Sequence, residues 1–409
     1  RGVGSRVARA ALAPMARLTP AEFCARAPKV ELHVHLDGAF DSAYLFECAT
    51  KYVEDLPATV DLGSKSVRLQ EAVRSAASPQ AFLERYVHLP PTTAKLTDFL
   101  APFPLSMAIV KAAVRAVGLE AIEEFAYRFA QRQHASNALY TEVRYCPHLF
   151  LEDAQLGDAT VRLAAAEAVV RAVGRGLHRG EQQLGVLLRQ ILCCLDFAPQ
   201  WSADCPALLE TIGREGGLVG IDVAAGEAHF AEAADDAPTR RAVLAAKRLG
   251  FGVSLHAGED PNSGGTAANV RCAIENYGAS RIGHGYALLQ DEAVLEIARD
   301  RAVHIEACPT SSWLTGGFGP KTRPWSEHPV RAFHRHGLSC CVSTDDPAIA
   351  NICLVDEWRR CLDDMGMQAS ELRQMAAQAV EAAFCSEEDK AALRRRFASF
   401  YAECELCAD

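Results

Sequence analysis

The stretch "GLVGIDVAAGE" (residues 217–227) is a near-continuous apolar run, and the segment "TRRAVLAAKRLG" (239–250) follows it. A short apolar run bounded by glycine is typical of a buried strand, whereas residues 239–250 have the apolar spacing of a helix. The same pair recurs downstream, where "FGVSLHAGED" (251–260), "RIGHGYALL" (281–289) and "AVHIEACPTSS" (302–312) each precede a helical segment. Strands that are apolar on both faces and alternate with helices form parallel sheets, so the pattern predicts an α/β fold.

Extending this pattern in both directions gives eight candidate strands, near residues 31, 140, 188, 219, 253, 282, 304 and 341. Eight strand–helix units predict a closed (β/α)8 TIM barrel. The long interval after strand 1 predicts inserted helices, including residues 79–89 and 120–133, and residues 354–409 predict a helical extension at the C-terminus. We expect a single domain over residues 21–409, preceded by a poorly ordered extension over residues 1–20.

The composition argues against two kinds of partner. The chain has 409 residues, and its 52 acidic and 42 basic side chains give a net charge of −10. Nucleic-acid binding depends on clustered Lys and Arg, so we expect no nucleic-acid partner. The one basic cluster, "KAALRRRF" (390–397), has a helical pattern and is expected to be a solvated helix face. We find no apolar run that predicts a membrane span, and so expect no membrane partner.

The fifteen cysteines are interpreted as free thiols. Their number is odd, and several lie in apolar runs such as "ILCCLDF" and "LSCCVSTDD". Buried free thiols are typical of a reducing compartment, so we expect a cytoplasmic protein, and we further expect a monomer. Residues 1–18 contain four arginines and no acidic residue. Organelle transit peptides share this composition, so targeting by the N-terminal segment stays an alternative.

Several candidate strands end in polar residues. His33 and His35 lie two apart in "ELHVHLDG" (31–38) and therefore point to the same face. His256 ends strand 5 and Asp345 follows strand 8, and in a barrel these strand ends meet at one mouth. Each has an ordinary interpretation alone, because a lone strand His is usually a core residue and Asp-Asp-Pro is usually a turn. Together they suit Zn²⁺, so we predict one Zn²⁺ per chain with ligands His33, His35, His256 and Asp345.

A second zinc pattern is set aside. Cytidine-type zinc deaminases combine H-x-E with P-C-x-x-C. This chain contains "HIE" (304–306) and "CELC" (404–407). The C-x-x-C has no preceding proline and is expected to lie on a helix, so we do not expect a site of this type.

Six motifs in their order along the chain resemble the adenosine deaminase family: "VELHVHLDGA", "TEVRYCPHL", "SLHAGED", "RIGHG", "CPTSSWLTGG" and "STDDP". The resemblance covers roughly residues 20–360. It implies a (β/α)8 barrel with one zinc ion and an enzyme of purine salvage and nucleoside catabolism. The implied reaction is hydrolytic deamination of adenosine and 2′-deoxyadenosine to inosine and 2′-deoxyinosine, with release of ammonia.

The resemblance also implies roles for individual residues. Glu259 would donate a proton to purine N1, His284 would lie beside the attacking water, and Asp345 would act in catalysis as well as bind the metal. A carboxylic acid can donate near neutral pH only if burial or nearby negative charge keeps it protonated. The implied substrate-binding residues are His35, Asp37, for the ribose 5′-hydroxyl, and Asp346, for purine N7.

One motif departs from the family pattern. The family reads "DLAGDE" after strand 4, where a glycine N–H donates to purine N3, and this chain reads "DVAAGE" (222–227). Without a gap Ala225 takes the place of that glycine, and with a one-residue shift Gly226 does. A backbone donor does not require glycine, so we expect the contact from one of these two residues.

Three alternative functions stay open. A purine deaminase could act on AMP, adenine or a 5′-methylthio nucleoside, although Asp37 would repel a 5′-phosphate and would have no partner on free adenine. A two-metal amidohydrolase would bridge its metals with a carboxylated lysine on strand 4, and residues 217–227 contain no lysine. A non-catalytic protein with this fold would not need the complete set of candidate catalytic residues.

Overall fold

Eight parallel strands form the centre of the protein. The computed structural model describes residues 16–230 and 237–406. Each central strand pairs with the next one along the chain, so the strand order in space follows the sequence. The predicted (β/α)8 TIM barrel is confirmed. The strands are β1 Lys29–His35, β2 Ala138–Tyr145, β3 Leu187–Leu195, β4 Leu218–Ala224, β5 Gly252–Ala257, β6 Arg281–His284, β7 His304–Ala307 and β8 Ser339–Val342.

The barrel closes between β1 and the residues that follow β8. Asp345 N donates to the carbonyl of His33 at 3.0 Å, and His35 N donates to the carbonyl of Asp345 at 2.8 Å. These bonds form a parallel bridge between Val34 and Asp345. The closure is therefore built from the backbone of three of the four predicted metal ligands.

The insertion after β1 contains helices, as predicted, and a β-hairpin that the sequence patterns do not predict. The hairpin pairs Thr59–Leu62 with Lys65–Arg68 in antiparallel register. The helical patterns at 79–89 and 120–133 are confirmed by two of the helices. Helices up to β2 are α1 Pro20–Arg26, α2 Ser42–Lys51, α3 Leu69–Arg74, α4 Pro79–Tyr86, α5 Leu96–Phe99, α6 Phe103–Val117 and α7 Glu120–Ala135.

Helices also follow each later strand, and three of them form the predicted C-terminal extension. Local signals set their limits: Asp158 caps the N-terminus of the longest helix, and Gly185, with φ 68°, ends it in the left-handed conformation that glycine adopts readily. These helices are α8 Asp153–Leu156, α9 Ala159–Leu184, α10 Cys205–Ile212, α11 Pro238–Arg248, α12 Ala267–Cys272, α13 Glu292–Asp300, α14 Pro309–Thr315, α15 Pro329–Arg335, α16 Leu354–Asp363, α17 Ala369–Ala382 and α18 Glu387–Glu403.

The two ends of the described chain pair with each other, since Ala16–Leu18 and Cys404–Leu406 form a parallel two-stranded sheet. Two predictions are corrected here. Residues 16–18, inside the extension predicted over residues 1–20, form a strand, and "CELC" (404–407) begins in a strand rather than on a helix. Each short strand takes its hydrogen-bond partners from the other end of the chain, which local patterns cannot reveal. The rest of the predicted extension, residues 1–15, lies outside the described residues.

One hydrophobic cluster runs from Leu18 to Cys404. This continuous core favours the single domain expected over residues 21–409, which stays a prediction. All cysteines that the structure describes are free thiols, and most of them are buried, as expected. Three consecutive arginines, residues 394–396, are exposed on α18, as predicted for a solvated helix face.

One segment corrects the expectation that no apolar run could span a membrane. Residues Leu96–Val117 are long and apolar enough to do so by length and composition alone. In the structure the segment is divided into α5 and α6 around Pro102, and its apolar side chains line a cavity described below. A core helix of a soluble protein can have the same length and apolar composition, so the absence of a membrane partner stays a prediction.

Candidate metal centre and active site

The four predicted metal ligands meet at the C-terminal mouth of the barrel. His33 and His35 end β1, His256 lies in β5, and Asp345 follows β8. Their ligand atoms all lie within 4.8 Å of one another. Asp345 Oδ1 is 3.2 Å from His33 Nε2 and 3.4 Å from His35 Nε2. The Nε2 atoms of His35 and His256 are 3.2 Å apart. The structure thus brings together residues that are up to 312 positions apart, the separation of His33 and Asp345.

Two carboxylates determine which ring nitrogens face this cluster. Glu306 Oε2 lies 2.8 Å from His33 Nδ1, and Asp222 Oδ2 lies 3.0 Å from His256 Nδ1. An ionised carboxylate only accepts hydrogen bonds, so each Nδ1 carries a proton, and in the neutral ring each Nε2 is left with a lone pair. His33 Nε2 is buried and has no hydrogen-bond partner among the described residues. A lone pair on His33 Nε2 would then face Asp345 Oδ1 with no hydrogen-bond donor between them. A bound cation would satisfy both atoms.

A second set of ligand atoms also lies within 4.8 Å of one another, with His284 and Cys308 in place of His35 and His256. Burial raises the pKa of the Cys308 thiol well above its usual value. A thiol must lose its proton to bind a metal strongly, so this combination is the poorer one. The predicted set is therefore the better metal site.

Asp222 and Glu306 belong to a buried network of charges beneath the cluster. Arg144 lies 2.8 Å from Asp222 and 2.7 Å from Glu306. Arg281 lies 2.6 Å from Glu306 and 2.6 Å from Glu142. Burial alone would raise the pKa of Glu306, but Arg144 and Arg281 hold it well below its usual value. The network therefore keeps this carboxylate ionised as an acceptor for the ring proton of His33.

The sequence patterns alone do not predict these two supporting carboxylates. The signal was present, because Asp222 and Glu306 are single acidic residues within apolar strands, and a buried charge requires a partner. In the sequence, Glu306 stands out only as part of the "HIE" pattern of another deaminase class. Its role in the structure is instead to orient His33 from β7.

Three residues at strand ends have a left-handed backbone conformation. The φ angles are 65° at His284, 65° at Asp345 and 71° at Ala225. A non-glycine residue in this region costs on the order of 1–3 kcal/mol and persists where its surroundings fix it, often at functional sites. Barrel closure fixes Asp345. Gly283 leaves room for the neighbouring ring, because a Cβ there would lie 2.6 Å from His33 Cε1.

Glu259 and His284 lie beside the four predicted metal ligands. Glu259 is 8% exposed, and burial followed by the charge of Asp345 raises its pKa to about 8. Its Oε2 lies 3.8 Å from His284 Nε2, which is 3.9 Å from Asp345 Oδ2. Burial holds the pKa of His284 well below its usual value. At neutral pH the site therefore combines a protonated carboxyl group with a neutral imidazole.

Asp37 and Asp346 form a second pair of acidic groups at the same mouth. Burial and the charge of Asp345 raise the pKa of Asp37 to about 7, and burial with the charges of Asp345 and Asp37 raises that of Asp346 well above its usual value. One oxygen of each, Oδ1, is buried and without a hydrogen-bond partner among the described residues. A Cβ at Gly38 would overlap Asp346 Oδ1, so glycine is needed there.

The "DVAAGE" segment places only one of its two candidate residues at the cavity. Ala225 lines the cavity, whereas Gly226 is not among the lining residues. The backbone of Gly226, with φ 158°, passes close to Asp196, because a Cβ there would lie 2.8 Å from Asp196 Oδ2. The ungapped correspondence, with Ala225 as the backbone donor, is therefore the one that the structure favours.

Eight of these residues line one cavity of about 490 Å³: His35, Asp37, Ala225, His256, Glu259, His284, Asp345 and Asp346. Small-molecule sites typically measure about 300–1,000 Å³. The polar part of its wall comes from the barrel strands. The apolar part comes mainly from α5 and α6, with Leu96, Phe99, Leu100, Phe103 and Met107. Such a cavity can enclose an aromatic ring and present polar groups to one edge of it.

Comparisons with known proteins identify the family of this chain. The sequence model of the family described as "Adenosine deaminase" matches residues 28–399. Adenosine deaminase from Bos taurus is 32% identical over 368 residues, which are 89% of this chain and 91% of the bovine protein. Two solved structures share the fold. Arabidopsis ADAL, solved in complex with IMP, has a TM-score of 0.71 at 18% identity, covering 94% of this chain and 100% of that one.

The second is an amidohydrolase from Burkholderia ambifaria with bound Zn, which has a TM-score of 0.68 at 20% identity over 94% of each chain. Identities this low show a common fold alone. The family model and the bovine relative cover nearly the whole chain. This protein therefore belongs to the adenosine deaminase family and is a hydrolase that deaminates adenosine-like substrates.

Proposed function

We propose that this enzyme catalyses the zinc-dependent deamination of adenosine and 2′-deoxyadenosine to inosine and 2′-deoxyinosine, with release of ammonia. The observation that carries the proposal is the cluster of His33, His35, His256 and Asp345 beside a carboxyl group, Glu259, that is protonated at neutral pH. The physiological role of the enzyme would be purine salvage and nucleoside catabolism.

Zinc is the proposed metal because three imidazoles and one carboxylate are ligands that Zn²⁺ prefers. The zinc in the structural neighbour from Burkholderia ambifaria supports this choice. Bound Zn²⁺ would lower the pKa of water toward neutrality and so supply the nucleophile for attack at C6 of the purine. His284 is neutral and lies close to Asp345, so its ring nitrogen can accept a hydrogen bond from that water and orient it.

Glu259 is the proposed general acid. Attack at C6 pushes electrons onto ring nitrogen N1, which then needs a proton. Glu259 holds one at neutral pH because burial and the charge of Asp345 raise its pKa. Asp346 has a matching role in recognition: purine N7 only accepts hydrogen bonds, so Asp346 must be protonated to contact it, and its raised pKa favours that form. The N–H of Ala225 is the proposed donor to purine N3.

An ammonia-release assay tests the proposed substrates. Purified protein would be incubated with adenosine, 2′-deoxyadenosine, AMP, adenine and 5′-methylthioadenosine. We expect the two nucleosides to have the highest kcat/KM. AMP is the main alternative substrate, because a structural neighbour was solved in complex with IMP. Turnover of AMP equal to that of adenosine would contradict the proposal.

The activity is expected to fall at high pH. The acid must be protonated to act, so the active form of Glu259 is present below its pKa of about 8 and is lost as the pH rises through that value. A bound cation would lower this pKa and move the basic limb of kcat toward neutral pH, but would not remove it. The measurement is kcat for adenosine from pH 6 to 10. A profile that stays flat over the whole range would show that no group of this kind donates the proton.

Asp37 is expected to favour free nucleosides over their 5′-phosphates. It follows His35 by two residues, and its Oδ1 is buried without a partner. We propose that it accepts a hydrogen bond from the ribose 5′-hydroxyl. Because Asp37 has a pKa of about 7 and is only partly ionised at neutral pH, Asp37→Ala should lower kcat/KM for adenosine by roughly 3- to 100-fold, which spans hydrogen bonds to neutral and to charged groups.

The matched comparison for Asp37→Ala is 5′-deoxyadenosine, which lacks the hydroxyl. Its kcat/KM should change much less, because the interaction is already missing on the substrate side. The alternative is that Asp37 only shapes the turn with Gly38. Equal losses of kcat/KM for both substrates would support a role of Asp37 in the turn alone and would contradict its role in substrate binding.

We further propose that the enzyme is a cytoplasmic monomer with a small-molecule substrate as its partner. The free and mostly buried thiols favour a reducing compartment. Targeting by the Arg-rich N-terminal segment, residues 1–18, is the alternative for localisation. Fractionation of cells that express the full chain, and light scattering of the purified protein, would test the two parts of this proposal.

A further inference from the structure

Glu227, in the loop after β4, contacts the backbone of the loop that carries Glu259. Gly258 N donates to Glu227 Oε2 at 2.8 Å, and Glu259 N donates to Glu227 Oε1 at 2.9 Å. A third donor, Asn269 Nδ2, lies 2.8 Å from Oε2. Each oxygen of one carboxylate is thus bonded to one of two successive amides, and the second amide belongs to the proposed acid.

The surroundings of Glu227 leave little space for it to move. Its side chain is only 8% exposed. A Cβ at Gly265 would lie 2.8 Å from Glu227 Oε1, so the backbone of that loop passes directly beside the carboxylate. On the other side, a Cβ at Gly258, with φ 69°, would lie 2.7 Å from Val270 Cγ2. A change at Glu227 is therefore passed on to the amides of residues 258 and 259.

We propose that Glu227 is a positioning residue for the general acid, because its carboxylate fixes the backbone from which the Glu259 side chain reaches the substrate. The inference rests on the proposed function, since it takes Glu259 as the proton donor. The negative charge of Glu227 supports the same role: after burial and the charge of Asp345, it helps to raise the pKa of Glu259. Glu227 accepts three hydrogen bonds, whereas Glu259 keeps the proton that the reaction needs.

The first test is Glu227→Gln. Glutamine has one acceptor oxygen, which satisfies Gly258 and Asn269 when it takes the place of Oε2. Its amide N–H₂ then faces the N–H of Glu259 and displaces it. We expect kcat for adenosine to fall by roughly 10- to 100-fold, as for a misplacement of about 1 Å, with KM changed by less than about 3-fold and the metal content unchanged.

A double-mutant cycle separates positioning from general stability. If Glu227 acts through Glu259, Glu227→Gln should cost less than about 3-fold in kcat when Glu259 is already glutamine. A loss of the same size in both backgrounds, or normal kcat in the Glu227→Gln single variant, would overturn the inference. If Glu259→Gln itself keeps normal turnover, the proposed function fails instead, which is a different result.

Glu181→Gln is a matched control. Glu181 Oε1 also accepts a backbone N–H, from Leu188 at 2.8 Å, but at the start of β3 and so at the opposite end of the barrel. We expect this variant to keep normal kcat even if its unfolding temperature falls. If Glu227→Gln does not fold, Glu227→Asp takes its place in the same cycle, because the shorter side chain cannot reach both amides at once.

Discussion

Replacing Glu259 with glutamine is expected to lower kcat for adenosine by about 10²- to 10⁴-fold, the usual contribution of a general acid. Glutamine has nearly the same size and stays polar, but it has no proton to transfer to the ring nitrogen. Glu259 is not among the metal ligands, so the variant should keep its metal. The measurement is steady-state kcat and KM for adenosine, together with metal analysis of the same sample.

Glu357→Gln provides the control for Glu259→Gln. Glu357 is also fully buried, and burial raises its pKa to about 7, but it does not line the cavity and instead accepts the N–H of Thr310. We expect this variant to keep kcat within about 3-fold of wild type. Near-normal turnover by Glu259→Gln would mean that another group donates the proton.

Removal of the metal is expected to abolish turnover, and about one Zn²⁺ per chain should restore it. Prolonged dialysis against a chelator, followed by titration with Zn²⁺ and assay at each step, would measure both effects. His256→Ala should bind too little metal to show activity. Full activity in a metal-free sample, or a requirement for two ions per chain, would contradict the single site.

A variant that weakens metal binding without removing a ligand tests the metal site further. Glu306→Gln keeps all four ligands but removes the charged acceptor of the His33 ring proton, so the metal should bind roughly 10- to 100-fold more weakly. The control is His304→Asn. His304 is a buried histidine at the start of β7, where its ring contacts Ser339 Oγ at 2.7 Å, away from the cluster. This variant should keep wild-type metal affinity.

Much of the barrel and of its site could be predicted from the sequence. The strands are buried on both faces, so they appear as apolar runs, and the periodic helices between them are equally plain. The candidate ligands were recognisable because His256 and Asp345 are polar residues at the ends of apolar strands. Since the C-terminal ends of barrel strands converge, residues far apart in the chain could be assigned to one cluster.

The features that the sequence could not show depend on contacts between residues in different strands. Asp222 and Glu306 are buried, and their roles appear only when the rings of His256 and His33 are placed beside them. The same holds for Glu227, whose partners are backbone amides and leave no pattern in the sequence. The pairing of Ala16–Leu18 with Cys404–Leu406 is likewise a contact between opposite ends of the chain. Local periodicity carries no information about such contacts.

Closure of the barrel through the catalytic cluster has a consequence for the synthesis of this protein. The amide of His33 bonds to Ser343, 310 residues later in the chain. At a translation rate of about 5–20 residues per second, β1 emerges roughly 15–60 s before that partner exists. During this time one edge of the first strand keeps unpaired backbone groups, which can pair with other nascent chains. The residues that we propose as metal ligands are thus part of the edge that the unfinished protein must keep apart from its neighbours.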